Sequence, residues 1–478
     1  MTLRTCSWLL CLTTFTPLAP ALAETPPTTS ATIASSDRAP VFKPLFEVRL
    51  RGELFETPSA SPARDKNYAL GLLRARVGGD LTWREKFTLH GLLQGATTTT
   101  LPANAAFGGG QTYFSTNGGD RTPYQIDVAE LAFLYKSKDL NIIAGRQGFA
   151  EGAGPATGVA QLDFVRTRRL AERLIGNLDF ANVGRRFDGL SVTAGFEDAG
   201  TLELFALRPL AGAFSYKQAF EELDIDIYGA AWTSPHGRWL PLSTLRLFAQ
   251  KYVDSRDIAL TSAGGEIDLE TYGGSVLVGD KSWNLLFWGS LQDGDYGRRG
   301  QSASASIVDA GYRWFGAGGE PSLHLVWERA SGGGASGDNG NFFNLLPTNH
   351  KFYGALDYTA FSNLNDLYLE GRWSPTKTLA LSAAVHDFRL IDRDGPWVGG
   401  SGPFSDRELG YIFRRPAGGR FQSNEVGREL DLAAIWSLPP RMQLKFEGGI
   451  FRGGAAAREI LAVESDGSWA SLEFTYKL

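Results

Sequence analysis

The chain has 478 residues, with 47 Lys and Arg against 52 Asp and Glu, and its formal net charge at neutral pH is −5. A weakly acidic chain lacks the basic surface that holds nucleic acid, so no nucleic-acid partner is predicted. Two Cys and five His leave little material for a zinc cluster or a disulfide framework, and no metal and no cofactor are predicted. The length alone suggests about three soluble domains, but the residue pattern along the chain indicates a different organisation.

Residues 1–23 have the pattern of a secretory signal peptide. Arg4 supplies a positive charge, an apolar stretch follows, and Ala21-Leu22-Ala23 forms a small-residue cleavage site. Both cysteines of the chain lie in this segment, so the mature protein is predicted to contain no thiol. Residues 24–41, rich in Pro, Thr, Ser and Ala, predict a flexible periplasmic leader.

Residues 42–478 alternate between apolar and polar side chains with a period of two, which is typical of strands with one apolar face. The first segment shows the pattern: Phe46, Val48 and Leu50 alternate with Glu47, Arg49 and Arg51. The last segment repeats it: Leu472, Phe474, Tyr476 and Leu478 alternate with Glu473, Thr475 and Lys477. The sequence therefore predicts strands almost throughout.

The connections between these strands have two lengths. Eight short turns, rich in Gly, Pro, Asp and Ser, lie at residues 84–85, 137–138, 197–200, 234–237, 279–282, 316–321, 374–377 and 439–440. Longer, Gly-rich connections lie near 98–124, 148–184, 331–364 and 389–426. Eight turns join sixteen strands, and one strand before the first turn and one after the last bring the predicted number to eighteen.

An even number of strands, with short turns at one end and long loops at the other, is typical of outer-membrane barrels. We therefore predict an all-β protein, a transmembrane antiparallel β-barrel of about 18 strands with short periplasmic turns and long extracellular loops. Its location would be the cell outer membrane, in contact with lipid and lipopolysaccharide. Soluble β-sandwiches would not require this alternation of connections, and a propeller would show a blade repeat, which the sequence lacks. Several Trp residues near the short turns fit an aromatic girdle: Trp83, Trp232, Trp283, Trp314, Trp373 and Trp436.

Four segments of the chain resemble the alginate export family of outer-membrane barrels. They are residues 144–147 (AGRQ), 182–189 (NVGRRFDG), 342–354 (FFNLLPTNHKFYG) and 427–432 (GRELDL). The likeness runs in order from about Phe46 to the C-terminus. It implies an eighteen-stranded monomeric barrel with an arginine-rich constriction through which an anionic uronate polymer passes. The chain departs from the usual aromatic C-terminal residue of such barrels, because its last residue is Leu478.

Arginine is the dominant cation, with 34 Arg and 12 Lys beyond residue 23. Guanidinium groups bind carboxylates in a bidentate manner and stay charged when partly desolvated, so a ring of them in a narrow pore would select anions. The candidates for an anion-selective pore lining are Arg49, Arg51, Arg74, Arg76, Arg146, Arg166, Arg168 and Arg185. The alternative is that these arginines are structural, and the candidate pairing acids are Glu47, Glu53, Asp80, Glu130 and Asp188.

Loops 98–124 and 148–184 are long enough to fold inward as a plug or a gate. Loop 331–341 contains Asp338 and Asn339, which could hold a calcium ion, but their spacing is not that of an EF-hand and a flexible loop is favoured. The five His are dispersed and form no metal-hydrolase motif. No catalytic residue is predicted, and the protein is not expected to be an enzyme.

The predicted function is a passive outer-membrane channel that conducts an anionic polysaccharide or oligosaccharide. A general or substrate-specific porin for small solutes is the alternative, and an enzyme or adhesin on a barrel anchor is a third hypothesis. No energy source is encoded, so the direction of transport would come from a gradient or from periplasmic export or uptake machinery.

Overall fold

The alternating segments form strands in the structure, a computed structural model that describes residues 39–256, 264–333 and 337–478. The predicted signal peptide and most of the predicted leader lie outside the described residues. The first strand begins at Val41, one residue before the predicted start of the barrel.

The described residues contain twenty strands and a few short helices. The strands are β1 (Val41–Glu56), β2 (Asn67–Trp83), β3 (Phe87–Thr98), β4 (Tyr124–Lys136), β5 (Leu140–Gln147), β6 (Phe187–Phe196), β7 (Gly200–Pro209), β8 (Ile225–Thr233), β9 (Ser243–Asp254), β10 (Ile267–Gly279), β11 (Trp283–Tyr296), β12 (Arg299–Arg313), β13 (Ser322–Ala330), β14 (Leu364–Trp373), β15 (Leu379–Arg389), β16 (Trp397–Gly400), β17 (Tyr411–Arg414), β18 (Glu425–Leu438), β19 (Met442–Gly453) and β20 (Gly467–Lys477). The helices are α1 (Gly109–Thr116), α2 (Ala160–Val165), which continues into a π-helical turn (Arg166–Leu170), and α3 (Ala455–Ile460), with a 3-10 turn at Asn349–Lys351. None of the helices in the described residues is both long and apolar enough to span a membrane.

Eighteen of the strands form one closed antiparallel sheet, which confirms the predicted barrel. Each strand pairs with the next along the chain, and β1 pairs with both β2 and β20, so that Glu47 lies opposite Lys477. The two remaining strands, β16 and β17, form a small hairpin in the connection between β15 and β18. Closure leaves no strand edge unpaired, which a membrane-spanning sheet requires because lipid offers no hydrogen bonds.

The connections fall at the two ends of the barrel as predicted. Each of the eight predicted turns joins two strands at the periplasmic end, and the four predicted long loops lie at the opposite end, over residues 99–123, 148–186, 331–363 and 390–424. The alternation is less strict than predicted, because β11 and β12 are joined at the long-loop end by residues 297 and 298 alone. Gly297, with φ of +68°, supplies the left-handed conformation that so tight a hairpin needs.

The polarity of the two faces of the wall is the inverse of that of a soluble protein, with charged side chains inside and apolar side chains outside. On β1, Glu47, Arg49 and Arg51 are buried towards the lumen, whereas Leu50 and Leu54 are exposed on the outer face. The exposed residues include Trp283, Trp314, Trp373 and Trp436, which lie beside periplasmic turns. The outer coat is therefore apolar and the polar side chains point inward, as a lipid environment demands.

The lumen is filled by loops that fold inward from the extracellular end. The connection between β5 and β6, residues 148–186, is called the plug loop below. It forms a parallel bridge at Ile175 with Leu346 of the 331–363 loop, and the amide of Gly176 donates to the Leu346 carbonyl at 2.9 Å. Apolar residues of these loops, such as Leu162 and Phe342, pack in one buried cluster with lumen-facing wall residues. The apolar core of this protein therefore lies inside the barrel.

A single charge on the outer face of the barrel is expected to lower the stability of the protein strongly. Leu432, near the middle of β18, is exposed on the outer face, and its neighbour Ala433 lines the lumen. We expect Leu432→Arg to lower the free energy of unfolding by about 2–4 kcal/mol, because the charge enters the apolar part of the bilayer. Urea unfolding in lipid vesicles measures this. The matched variant Ala433→Arg, whose side chain reaches the lumen, should change the free energy little, and equal losses in both variants would contradict the assignment of the faces.

Candidate pore constriction

A cavity of about 330 Å³ lies in the lumen between the barrel wall and the inward loops. The plug loop and the 331–363 loop form one side, and strands on either side of the β1–β20 seam form the other. Eight of its lining residues among those described are cationic: Arg49, Arg51, Arg74, Arg168, Lys351, Arg372, Lys445 and Lys477. Seven are acidic: Glu47, Glu172, Asp179, Glu370, Asp431, Glu447 and Glu473. The cavity is therefore highly charged, with both signs interspersed.

Four of the predicted arginines form a buried cluster on β1 and β2. Arg49 lies directly opposite Arg74 in the strand register. Arg51 is the next lumen-facing residue after Arg49 on β1, and Arg76 is the next after Arg74 on β2. Like charges opposite each other destabilise a sheet, so this cluster needs carboxylates close by. Glu47 supplies one, since Arg74 Nη2 lies 2.7 Å from its Oε1.

The second carboxylate comes from the plug loop. Asp179 accepts hydrogen bonds from Arg74 at both carboxylate oxygens, at 3.2 and 3.0 Å, and from Arg76 Nη2 at 2.8 Å. Burial alone would raise the pKa of Asp179, but the guanidinium groups of Arg74 and Arg76 hold the pKa well below its usual value. The carboxylate is therefore charged at neutral pH and links the loop to the wall.

The next residue of the plug loop, Phe180, is held by the neighbouring strand β1. Arg51 Nη1 donates to the Phe180 carbonyl at 2.7 Å, and its guanidinium lies 4.2 Å from the centre of the Phe180 ring. The imidazole of His350 stacks on that ring with centroids 3.4 Å apart. We call Asp179 and Phe180 together the plug tip. Its carboxylate and its ring are thus both anchored to cationic side chains.

His350 adds a further positive charge to this cavity. Burial would lower its pKa, but the carboxylates of Asp357, at 2.7 Å, and Glu447, at 3.9 Å, raise the pKa to about 9. The imidazole is therefore protonated at neutral pH.

Two further arginines face the cavity. Arg168, on the π-helical turn, contacts Glu370 at 3.3 Å and donates to the Lys351 carbonyl, yet its side chain remains 34% exposed. Arg372 lies on the lumen face of β14, with its guanidinium 4.2 Å from the centre of the Phe164 ring, and forms no ion pair with any described residue. Sequence analysis did not select Arg372, although its spacing from Glu370 and Tyr368 on one face of β14 is a period-two signal.

Three predicted pore arginines lie elsewhere. Arg166 donates to backbone carbonyls within its own loop, those of Ala153, Gly154 and Pro155. Arg185 donates to carbonyls in three different loops, at Gly176, Leu346 and Ser401, and burial lowers its pKa to about 10. Arg146 is not in the lumen at all.

The position of Arg146 requires a correction of the sequence prediction. On β5 its neighbour Gln147 is 1% exposed and points inward, so Arg146 points outward. It forms an ion pair with Asp188 at 3.0 Å, and the same outer row continues with Arg208 and Asp226, also 3.0 Å apart. This row marks the polar rim of the outer face above the apolar band.

The five acids considered for structural pairing are all found in ion pairs. Glu47 pairs with Arg74, Glu53 with Arg51 at 2.6 Å, Asp80 with His90 at 2.7 Å, Glu130 with Arg186 at 2.8 Å, and Asp188 with Arg146. Much of the buried charge is therefore neutralised within the protein. Among the cavity arginines, Arg372 forms no ion pair with a described residue, and Arg168 stays 34% exposed beside Glu370.

The deepest ion pairs attach the plug loop to the far wall. Arg169 contacts Asp309 on β12 at 2.6 Å and also pairs with Glu370 on β14. Arg173 binds both oxygens of Glu328 on β13, at 2.7 and 2.9 Å. These partners are more than a hundred residues apart in the sequence, and no local pattern indicates the pairing.

A closed barrel of eighteen antiparallel strands, apolar outside and charged within, defines an outer-membrane channel of the porin type. The sequence profile described as alginate export matches residues 46–471, and the chain therefore belongs to the alginate export family of outer-membrane proteins. The family and the fold are those of transport channels.

Solved structures of other outer-membrane proteins have the same fold. The outer membrane protein OpdK of Pseudomonas aeruginosa has a TM-score of 0.52 and 10% identity, with 91% of this chain and 99% of that chain covered. OccK7 (OpdD) of the same organism has a TM-score of 0.55 and 13% identity, and OccAB2 of Acinetobacter baumannii has 0.55 and 9%, each with 91% and 98% covered. At these identities the likeness shows the fold alone. No curated protein sequence matches the chain.

Proposed function

We propose that the protein is a passive channel that conducts an anionic polysaccharide or oligosaccharide through the cation-lined cavity. The observation that carries this proposal is the presence of Arg168 and Arg372 at the cavity surface, the first only partly neutralised and the second without an ion pair among the described residues. A carboxylate that enters the cavity can bind to these groups in place of its water shell. Membership of the alginate export family makes a uronate chain the cargo that fits this chemistry.

The acidic residues of the cavity have a role in the same mechanism. A polyanion held by many unopposed guanidinium groups would bind tightly and leave slowly, whereas conduction requires sites that bind weakly. Glu370 lies 3.3 Å from Arg168, and Glu447 lies 2.7 Å from Lys445. These carboxylates limit the affinity of Arg168 and Lys445 for the passing chain, so the chain can move on from these sites.

The ion selectivity of the channel tests this proposal. We expect the unmodified protein to prefer anions in planar bilayers, and the double variant Arg168→Ala/Arg372→Ala to reduce the anion-to-cation permeability ratio by about two- to fivefold, because local charge sets the field in a pore. The reversal potential in a salt gradient measures this ratio. Arg146→Ala is the matched control: it removes an arginine from the outer face and should leave the ratio unchanged. Cation preference in the unmodified protein, or an equal effect of the control, would contradict the proposal.

A second candidate cargo is a small carboxylate. The cavity of about 330 Å³ has the size of a small-molecule site rather than of a wide passage. A solved structure of OpdK, which has this fold, was determined with vanillate, a small aromatic carboxylate. Conductance block by monomeric carboxylates with no additional effect of longer uronate oligomers would favour this cargo, and stronger block with increasing oligomer length would favour the polymer.

A further inference from the structure

The arginine cluster on β1 and β2 already holds a carboxylate, and that carboxylate belongs to the protein itself. Arg74 and Arg76 each donate to both carboxylate oxygens of Asp179, and Arg49 Nη1 donates to the backbone carbonyl of the same residue at 2.6 Å. Bidentate pairing of guanidinium groups with a carboxylate is an arrangement by which proteins recognise anionic ligands.

We propose that Arg49, Arg74 and Arg76 form a carboxylate-binding site of the channel and that the plug tip occupies this site as a tethered competitor of the anion to be conducted. The inference rests on the proposed function, since it assigns the regulation of the same cavity. A carboxylate that arrives in the cavity displaces Asp179 and takes its place on the arginines, and the plug tip returns when the anion leaves.

The exposure of the groups supports this order of events. The side chains of Arg74 and Arg76 are 2% and 4% exposed, whereas that of Asp179 is 26% exposed and lines the cavity. An arriving anion therefore meets Asp179 before it meets the arginines behind it. Exchange of one carboxylate for another keeps the guanidinium groups paired throughout, so the large cost of an unpaired buried charge is avoided.

The remainder of the plug loop has its own attachments, which allow the tip to move alone. Arg173 holds the loop to β13 through Glu328, and Arg185 holds it to two other loops through Leu346 and Ser401. Neither attachment uses the β1–β2 cluster. Release of Asp179 consequently does not require release of the whole loop.

Removal of the tethered carboxylate should strengthen the binding of a free one. We expect Asp179→Asn to lower the concentration of potassium galacturonate that half-blocks chloride current by about tenfold, because a tethered group competes at an effective concentration in the millimolar range or above. Asp179→Glu, which keeps the charge but alters its reach, should give a shift of about two- to threefold. Single-channel recording in planar bilayers measures both.

Glu172→Gln is the matched control, since Glu172 lies in the same loop, lines the same cavity and forms no ion pair in the part of the chain that the structure describes. It removes the same charge and should shift the half-blocking concentration less than twofold. Heat-modifiable migration on gels establishes that each variant is folded. An unchanged value in both Asp179 variants, or equal shifts in Asp179→Asn and Glu172→Gln, would overturn the inference. In an anion-selective channel such a result would leave the proposed function intact, whereas cation selectivity of the unmodified protein would remove the proposed function itself.

Discussion

Replacing Arg173 with methionine is expected to raise the single-channel conductance several-fold, because the plug loop loses its deepest attachment to the wall. The guanidinium binds both oxygens of Glu328 and lies 3.9 Å from the centre of the Phe352 ring. Both charged side chains are almost fully buried, so the substitution leaves a carboxylate without its cation, at a cost of about 3–5 kcal/mol. The wall is a closed sheet and cannot open to let water reach the Glu328 carboxylate. The plug loop can expose this carboxylate to water by moving out of the lumen.

A double substitution separates the loss of a charge pair from the loss of packing. Arg173→Met/Glu328→Met removes both charges and leaves no unpaired group, and replacement of a buried pair by apolar residues is often neutral. The double variant should therefore return most of the way to the conductance of the unmodified protein. Unchanged conductance in Arg173→Met, or a double variant as open as the single one, would show that this ion pair does not hold the loop in the lumen.

Replacing Arg185 with alanine is expected to loosen three loops at once. Its two Nη atoms donate to the carbonyls of Gly176, Leu346 and Ser401 at 3.1, 2.8 and 2.8 Å, and these residues belong to three separate connections. Hydrogen bonds from a charged donor contribute about 1.5–3 kcal/mol each, so the loop assembly should lose about 4 kcal/mol or more. Chymotrypsin should then cleave after Trp397 and Phe404, which are buried in the intact assembly, at least tenfold faster.

Arg185→Lys is the control for this prediction. Lysine keeps the charge but has a single nitrogen and no planar fork, so it can reach fewer of the carbonyls. Intermediate cleavage rates are expected for it, and the barrel itself should keep its heat-modifiable migration in both variants. If cleavage of Arg185→Ala were as slow as that of the unmodified protein, the three loops would be held together mainly by their apolar contacts.

The wall of the barrel could be read from the sequence because its signals are local. Period-two alternation and turn residues sit within a few positions of each other, and they gave the eighteen strands and all eight periplasmic turns. The same alternation placed Arg49 and Arg74 on the lumen face. It failed at Arg146 because β5 has apolar residues on both faces, Ile142 and Ile143 being adjacent, so its phase was not readable.

The lumen could not be predicted in the same way, since its contacts join residues that are distant in the chain. Asp179 lies about a hundred positions from Arg74 and Arg76, and Arg169 lies farther still from Glu370. Which arginine binds a carboxylate, a carbonyl or a ring depends on how the loops pack against one another. Composition indicated that guanidinium groups matter, and only the packing distinguishes Arg168 and Arg372 from Arg185.

The strands differ greatly in length, and this bears on the bilayer around the barrel. β5 has 8 residues and β8 has 9, whereas β2 has 17. At about 3.3 Å per residue and a tilt of about 40°, the wall rises about 20 Å at β5 and about 43 Å at β2. The first height is below the apolar thickness of about 25 Å that such barrels usually present. We therefore expect the membrane to be thinnest beside β5 to β8. The charged outer row of Arg146, Asp188, Arg208 and Asp226 would there attract the lipid headgroups towards the centre of the bilayer.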